Sequence, residues 1–401
     1  MENFQGKLQR RAFRAYLPAR VTSSSVSVPL LLSLHGGYGS GENLLLKQPF
    51  AKLADGRQVG WRPNTADCKF QFPKGYRDAQ DRVCLPPREL VTSEPFVAVF
   101  PDGLPDDGKP NSNASRSIGH WEDGRTPSPG WSKSGPADAQ HRDDVGFVDI
   151  IIKLLLAEQL PKGGALVDPK RVYMVGTSNG GMMTHRVACH VGDAKYPNLV
   201  HVAAVAINIA SMPFNLFSGS SGRAQCNPRL SLSVQYIVGK GISTPNCTSY
   251  PCDSPVVDGD SNMPFLAAGG RANVNSPGLG SVVSHLASRS LFVRANEDLL
   301  GVKALRNVTS VGFFCVHTKA SFPGSEHVVE AFVTDGGHHT IGGTLMDIPP
   351  YSKVPAFLFQ FQRSGQEIGT ASPTSAPTTP AKPTAAASPT VAVDTSAPTT
   401  P

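Results

Sequence analysis

Six short apolar runs, separated by segments of a different character, limit the folds open to this chain. The runs cover residues 29–34, 95–100, 171–176, 201–208, 232–239 and 327–334. Continuous apolar runs of this length are typical of strands buried on both faces of a parallel sheet. Residues 143–160 open with acidic side chains and are long enough for a helix that crosses such a sheet. The alternation predicts an α/β fold, with a mostly parallel sheet and helices on both faces.

Three irregular segments interrupt this pattern. Residues 60–90, 103–142 and 241–259 do not fit regular elements, and we expect them to form long loops at the end of the sheet where α/β proteins bind ligands. From about Gly369 the composition shifts to Ser, Thr, Pro and Ala, which cannot form a core. We therefore divide the chain into a globular domain of residues 1–366 and a disordered tail of residues 367–401.

Charge and hydropathy exclude some classes of partner. The formal net charge is +6, but the basic residues are scattered apart from a group near the start, so we expect no nucleic-acid partner. No stretch reaches the roughly 18 apolar residues of a membrane span. We expect a soluble, monomeric protein.

Cysteines and glycosylation sequons point to a compartment. The chain has seven cysteines, and three N-x-[ST] sequons begin at Asn113, Asn246 and Asn307, a combination that favours secretion. The first residues, however, lack the apolar region of a signal peptide. We expect either a truncated N-terminus or export by another path, and an acid-poor, Arg-bearing start also fits an organelle transit peptide.

The segment "VGTSNGG" (175–181) carries the strongest chemical signal. It lies between the strand predicted at 171–176 and a stretch with helical spacing, which is the setting of a nucleophile elbow. Glycines at 176 and 180 allow a sharp turn that lifts the hydroxyl of Ser178 clear of the backbone. The helix N-terminus behind it favours developing negative charge. We predict that Ser178 is a nucleophile.

A nucleophilic serine requires a base and two oxyanion donors. Among the downstream histidines, only the pair in "TDGGHHTIGG" follows a late strand within a flexible, glycine-flanked loop, and it supplies the base; a metal site or a surface pair is the alternative. The early loop "SLHGGYGSGEN" follows the first apolar run. We predict oxyanion donors at the backbone N–H groups of Gly37 and Asn179.

Together these segments resemble the secreted polyhydroxybutyrate depolymerase and feruloyl esterase type of α/β-hydrolase. The resemblance runs from about residue 11 to residue 362 and rests on "LHGG", "FPDG", "DDVGF", "RVYMVGTSNGGMM", "VAC" and "GGHHTIGG". It implies an α/β-hydrolase fold for residues 1–366. It also implies that the catalytic histidine is His338, directly after the paired glycines, rather than His339.

The catalytic acid is harder to assign. The family carries it in a segment resembling H-G-T-x-D-x-x-x-P-Y-x-G-G, and "GDSNMPFLAAGG" keeps part of this spacing after an inserted 241–259 segment. The resemblance therefore implies Asp260, with Asp258 and Asp253 as rivals. Asp335, three residues before the histidine, is expected to shape its own turn.

The chain also departs from the family beside the catalytic histidine. Thr340 and Ile341 replace the Trp-Pro of many relatives, so Tyr38 and Trp121 are our candidates for substrate-binding surface. The resemblance further implies a disulfide between Cys189 and Cys226. Cys68–Cys84 and Cys247–Cys252 would then leave Cys315 over, although sequence alone does not fix the pairing.

These observations predict a serine carboxylic ester hydrolase that needs no metal and no organic cofactor. The resemblance implies feruloyl-type esters of cell-wall polysaccharide or hydroxyalkanoate polyesters as substrates, with a slight preference for the former. Two alternatives stay open: a hydrolase fold that binds cell-wall glycans without turnover, and a serine peptidase of the same architecture.

Overall fold

The computed structural model describes residues 11–18, 27–37, 39–47, 50–54, 59–60, 89–90, 94–104, 119–123, 143–157, 167–208, 210, 212, 226–240, 285–310, 315–335 and 350–364. Within these residues the dominant element is a nine-stranded sheet. Its strands are β1 (Phe13–Tyr16), β2 (Val28–Leu34), β5 (Val97–Pro101), β6 (Val167–Thr177), β7 (Val202–Asn208), β8 (Ser233–Lys240), β9 (Leu305–Ser310), β10 (Cys315–Ser321) and β11 (Val328–Asp335); β3 (Val59–Gly60) and β4 (Glu89–Leu90) pair separately.

The centre of the sheet is parallel and its edges are antiparallel. The strand order is β1-β5-β2-β6-β7-β8-β11-β10-β9. The strands from β5 to β11 pair in parallel, whereas β1 joins β5 antiparallel at one edge, and β10 and β9 add an antiparallel extension at the other. The carboxyl ends of β6, β7, β8 and β11 therefore open at the same edge of the sheet.

Helices cover both faces. They are α1 (Gly41–Lys47), α2 (Phe50–Ala54), α3 (Asp144–Ala157), α4 (Asn179–Cys189), a 3₁₀ turn (Pro197–His201), α5 (His285–Leu300) and α6 (Pro350–Leu358). Successive residues of β2 point to opposite faces, so Leu30 and Leu32 join one buried cluster while Leu31 joins another. The first cluster includes side chains of α3, α4 and α5, and the second includes side chains of α2 and α6.

This architecture confirms the predicted α/β-hydrolase fold. All six apolar runs form strands of the sheet, and the segment predicted to cross over it forms α3. The nucleophile turn follows β6 at the centre of the sheet, as this fold requires. None of the described helices has both the length and the apolar character needed to cross a bilayer.

A disulfide joins the end of α4 to the segment that enters β8. It links Cys189 to Cys226 across a Cα–Cα distance of 4.5 Å, and it confirms the pairing implied by the family resemblance. In the chain-entropy model a disulfide that closes a loop of this size stabilises the fold by about 3–5 kcal/mol. The cysteines at 68, 84, 247 and 252 lie outside the described residues.

Candidate active site

Ser178 occupies a backbone conformation that side chains rarely adopt. Its φ is 56° and its ψ is −124°, and it is the only residue other than glycine with a positive φ in the described part of the chain. Such a conformation costs of order 1–3 kcal/mol and persists only where the surroundings enforce it. The Ser178 N–H donates to the Asn208 carbonyl at 3.0 Å, and its carbonyl accepts from Met182 in the first turn of α4 at 2.9 Å. The sequence-predicted strand-turn-helix is therefore a strained elbow.

Two glycines allow the elbow to close. A Cβ on Gly176 would collide with the Gly180 carbonyl oxygen and the Thr184 hydroxyl, and a Cβ on Gly180 would collide with the carbonyl oxygens of Leu34 and His35. These positions need glycine because strand β6, helix α4 and the end of β2 approach one another without room for a side chain. The close approach brings the loop after β2 against the elbow.

That loop carries the predicted oxyanion donor. A Cβ placed on Gly36 would lie 3.3 Å from the Ser178 Cβ and 3.9 Å from its hydroxyl oxygen. One placed on Gly37 would lie 3.7 Å from the Asn179 Cβ. Asn179 is the first residue of α4, so its N–H belongs to the helix-terminal donors that have no partner within the helix. The structure thus brings Ser178, Asn179 and Gly37 together.

The side chain of Asn179 is fixed by a short segment, residues 121–123. Its Nδ2 donates to the Trp121 carbonyl at 3.1 Å and to the Asp123 carboxylate at 2.6 Å, while its Oδ1 accepts from the Trp121 N–H at 2.7 Å. Asn179 and Asp123 are both 4% exposed. Because hydrogen bonds to a carboxylate are strong when desolvated, this contact holds the first residue of α4 in place.

Buried charges hold the same segment from the other side. The Glu122 N–H donates to Asp144 at 2.6 Å, and Asp144 also forms an ion pair with Arg11 at 2.5 Å. Arg186 of α4 donates to the Glu122 carbonyl at 2.5 Å and lies 3.1 Å from its carboxylate. Burial raises the pKa of the Glu122 carboxyl to about 8, and Arg186 opposes this rise only in part. The helices α3 and α4 are thereby joined through residues 121–123.

His35 connects the loop after β2 to Gly103, two residues beyond the end of β5. Its Nε2 accepts from the Gly103 N–H at 2.8 Å, and its Nδ1 lies 2.7 Å from the Gly36 carbonyl oxygen. A ring nitrogen that accepts carries no proton, so the geometry assigns the neutral tautomer with its proton on Nδ1. Burial lowers the pKa of His35 to about 4.

The neutral state of buried His35 predicts acid sensitivity. Because the pKa of His35 falls from 6.5 in the unfolded chain to about 4 in the folded one, the unfolded state binds more protons between these values. The stability that it contributes is complete above pH 6.5 and is lost as the pH falls towards 4. We expect His35→Gln, whose carboxamide oxygen can accept from Gly103, to reduce the slope of unfolding free energy against pH in this window by up to about 1.4 kcal/mol per pH unit.

Urea unfolding of both proteins at pH 4.5, 5.5, 6.5 and 7.5 measures that difference. Buried His185, whose pKa burial lowers to about 3, acts in the same direction, and Glu122 acts in the opposite direction. Both contributions are common to the two proteins and cancel in the comparison. Parallel curves for wild type and His35→Gln would contradict the lowered pKa of His35 and its neutral state in the fold.

The remaining predicted site residues lie outside the described residues. These are Tyr38, Asp253, Asp258, Asp260, His338 and His339. The strands that precede them are described: β8 ends at Lys240, and β11, its parallel neighbour, ends at Asp335. Both ends open at the edge of the sheet where Ser178 lies.

Trp121 has a packing role in addition to any contact with substrate. It is 4% exposed, its indole N–H donates to the His35 carbonyl at 2.9 Å, and its ring packs against that of His35 at 5.0 Å between centroids. A substrate-binding role for Trp121 stays a prediction.

Sequence reasoning missed three residues near the elbow: His35, Asp123 and the buried His120, whose ring borders Gly37. His120 and Asp123 belong to the polar run "HWED", which is the sequence signal that could have indicated them.

No protein-family model matches the chain, and no curated protein matches it in sequence. Solved structures with a similar arrangement include an acetyl xylan esterase from Aspergillus awamori (12% identity, TM-score 0.42, covering 88% of this chain and 95% of that one). A thermostable esterase gives 13% identity and a TM-score of 0.34, covering 90% and 62%. An acyl-protein thioesterase 2 from Zea mays gives 13% identity and a TM-score of 0.28, covering 58% and 77%.

Proposed function

We propose that this chain is a serine carboxylic ester hydrolase that acts through an acyl-enzyme. The observation that carries the proposal is the strained backbone of Ser178, with φ 56° at a strand-to-helix turn against which Gly36 packs. Strain of this kind clusters at functional sites. A turn that served only to reverse the chain would place glycine at this position.

The proposed chemistry assigns one role to each predicted site residue. Ser178 attacks the ester carbonyl while His338 accepts its proton and then transfers it to the leaving alcohol. Asp260 orients the imidazole and stabilises its charged form. The N–H groups of Asn179 and Gly37 bind the oxyanion, and water activated by His338 releases the acid.

The described strands support this convergence of distant residues. His338 follows the end of β11 by three residues, and Asp260 belongs to the segment that leaves the end of β8. Both strands run parallel to β6, which carries Ser178 at its end. The chain order Ser, Asp, His is the order of α/β-hydrolases.

The proposed substrates are feruloyl-type esters of cell-wall polysaccharide or hydroxyalkanoate polyesters. The resemblance of "DDVGF" and "SNGGMM" to that family supports this choice, and so do the long segments available to shape a pocket. Secretion of the protein is supported by the Cys189–Cys226 disulfide, because disulfides persist in oxidising compartments. We expect a monomeric enzyme that acts without metal or organic cofactor.

Active-site labelling tests the proposal. An alkyl fluorophosphonate reacts with an activated serine, so we expect one phosphonate per chain, on the peptide that contains Ser178, by mass spectrometry. Ser178→Ala is expected to lose the label, whereas Ser290→Ala, which removes an exposed hydroxyl from α5, keeps it. Labelling of another serine would contradict Ser178 as the nucleophile, and labelling of none would favour the glycan-binding alternative.

A substrate panel separates the remaining alternatives. Methyl ferulate, hydroxybutyrate oligomers and a peptide amide are compared with the same enzyme. We expect the highest kcat/KM for methyl ferulate. Preference for the oligomers would assign polyester hydrolysis, and preference for the amide would assign the peptidase.

A further inference from the structure

A cationic pocket lies between helix α5 and the antiparallel extension of the sheet, far along the sheet from Ser178. Its volume is about 80 Å³, and it is lined by residues of α5, β9 and β10. Arg289 and Arg306 belong to the lining. Lys319 borders the pocket through β10, but its side chain alternates to the other face of the sheet from Thr318 and Ala320. None of the described residues that line the pocket is acidic. No role in the proposed ester hydrolysis accounts for this concentration of positive charge.

The two arginines lack a carboxylate partner among the described residues that line the pocket. Arg289 donates from Nη1 to the hydroxyl of Thr318, while its buried Nε has no hydrogen-bond partner in the part of the chain that the structure describes. Burial lowers the pKa of Arg289, and the nearby charge of Arg306 lowers it further. Two neighbouring guanidinium groups, one of them half-buried, repel each other unless an anion lies between them.

Glu297, the carboxylate whose charge acts on Arg306 from outside the pocket, already accepts two hydrogen bonds. Glu297 accepts from the Ala304 N–H at 3.0 Å and from the Lys303 ammonium at 3.2 Å. It is not part of the pocket lining. Among the described residues, the pocket lining therefore holds no acid that neutralises Arg289 and Arg306.

We propose that this pocket binds an oxyanion, a carboxylate or sulfate group carried by an acidic ligand. Guanidinium groups match the paired oxygens of such groups, and their weak hydration makes them the preferred cations for partly buried anion sites. The hydroxyl of Thr318 holds Arg289 in position, and Arg306 closes the pocket from the exposed strand β9. The binding site is separate from the elbow, so it stands whether or not the chain hydrolyses esters.

Titration calorimetry with sulfate and with galacturonate tests the proposal, with neutral galactose as the matched sugar. All proteins are first treated with an endoglycosidase, since Asn307 lies in a sequon and also lines the pocket. We expect saturable binding of an anion and none of galactose. Arg306→Gln is expected to weaken binding about 10-fold to 100-fold, the loss of a charge-assisted hydrogen bond, and Arg306→Glu to abolish it.

Arg294→Gln is the matched control. It removes the same charge from an exposed position on α5 outside the pocket lining, where Arg294 donates to the Ser290 carbonyl at 3.3 Å, and it should leave binding unchanged. Because Arg306 is exposed, its variants are expected to keep the wild-type Tm.

Three outcomes would overturn the proposal. Equal weakening by Arg306→Gln and Arg294→Gln would show non-specific attraction. Absence of binding to the wild-type protein, or binding that Arg306→Gln leaves unaltered, would also contradict it. Sulfate binding alone assigns a sulfate site, and galacturonate binding alone assigns a carboxylate site.

Discussion

Ser178→Ala is expected to lower kcat/KM for p-nitrophenyl acetate by about four to six orders of magnitude, because it removes the atom that would form the acyl-enzyme. The free energy of unfolding should change little, since the hydroxyl makes no capping hydrogen bond to α4. Hydrolysis is measured spectrophotometrically, and unfolding by urea denaturation of the same preparations. A variant that keeps more than about a hundredth of the wild-type rate would contradict the assigned nucleophile.

The double variant of Ser178 and His338 tests His338 as the catalytic base, because the activity losses of the two single variants should not add. Residues that act as one unit lose almost all activity when any one is removed. We therefore expect Ser178→Ala combined with His338→Ala to be no slower than Ser178→Ala alone. His339→Ala serves as the matched control and should retain activity.

A separate set of variants tests the catalytic acid. Among Asp253→Asn, Asp258→Asn and Asp260→Asn, only the last is expected to lower kcat strongly, by about 10⁴-fold.

Asp144→Ala is expected to destabilise the fold by about 3–5 kcal/mol, the typical result of removing one partner from a buried ion pair. Asp144 is completely buried, and its loss would leave the Arg11 guanidinium, 4% exposed, without its carboxylate. It would also free the Glu122 N–H from its hydrogen bond. Urea denaturation at pH 7 measures the change.

The control for this prediction is Asp298→Ala. It deletes the same carboxylate from an exposed position on α5 and should change stability by less than about 0.5 kcal/mol. A second measurement, of kcat, tests whether Asp144 also positions the active site. Because Asp144 holds the segment that fixes Asn179, the folded Asp144→Ala protein should also show a lower kcat. Loss of less than about 1 kcal/mol would mean that Arg11 finds another partner.

The centre of the fold could be predicted because each of its strands carries its own signal. The buried stretches 30–32 and 172–175, for example, carry hydrophobic side chains on both faces of the sheet. Strand β9 carries no such signal: Leu305 and Val308 are 64% and 68% exposed, and its extended shape comes from pairing with β10. Helix α5 buries the consecutive residues Leu291, Phe292 and Val293, which is not a helical period.

The candidate site likewise has a part that the local sequence indicates and a part that depends on long-range contacts. The elbow is local, so the glycines and the alternation around Ser178 indicated it. The partners of Asn179 lie 56 and 58 residues earlier in the chain, within a segment that carries no periodic pattern. Asp144 was predicted to favour a helix N-terminus, and the structure adds its ion pair with Arg11, 133 residues away. Contacts of this range follow from the closed fold rather than from any window of sequence.

The conformation of Ser178 also bears on how such a chain would change over evolutionary time. Glycine at position 178 would adopt φ 56° without strain and would relieve of order 1–3 kcal/mol. In a lineage released from the need for turnover, mutation at this codon towards glycine would be retained because it stabilises the protein. Under the proposed function, the serine at this position gives up that stability in exchange for a nucleophile.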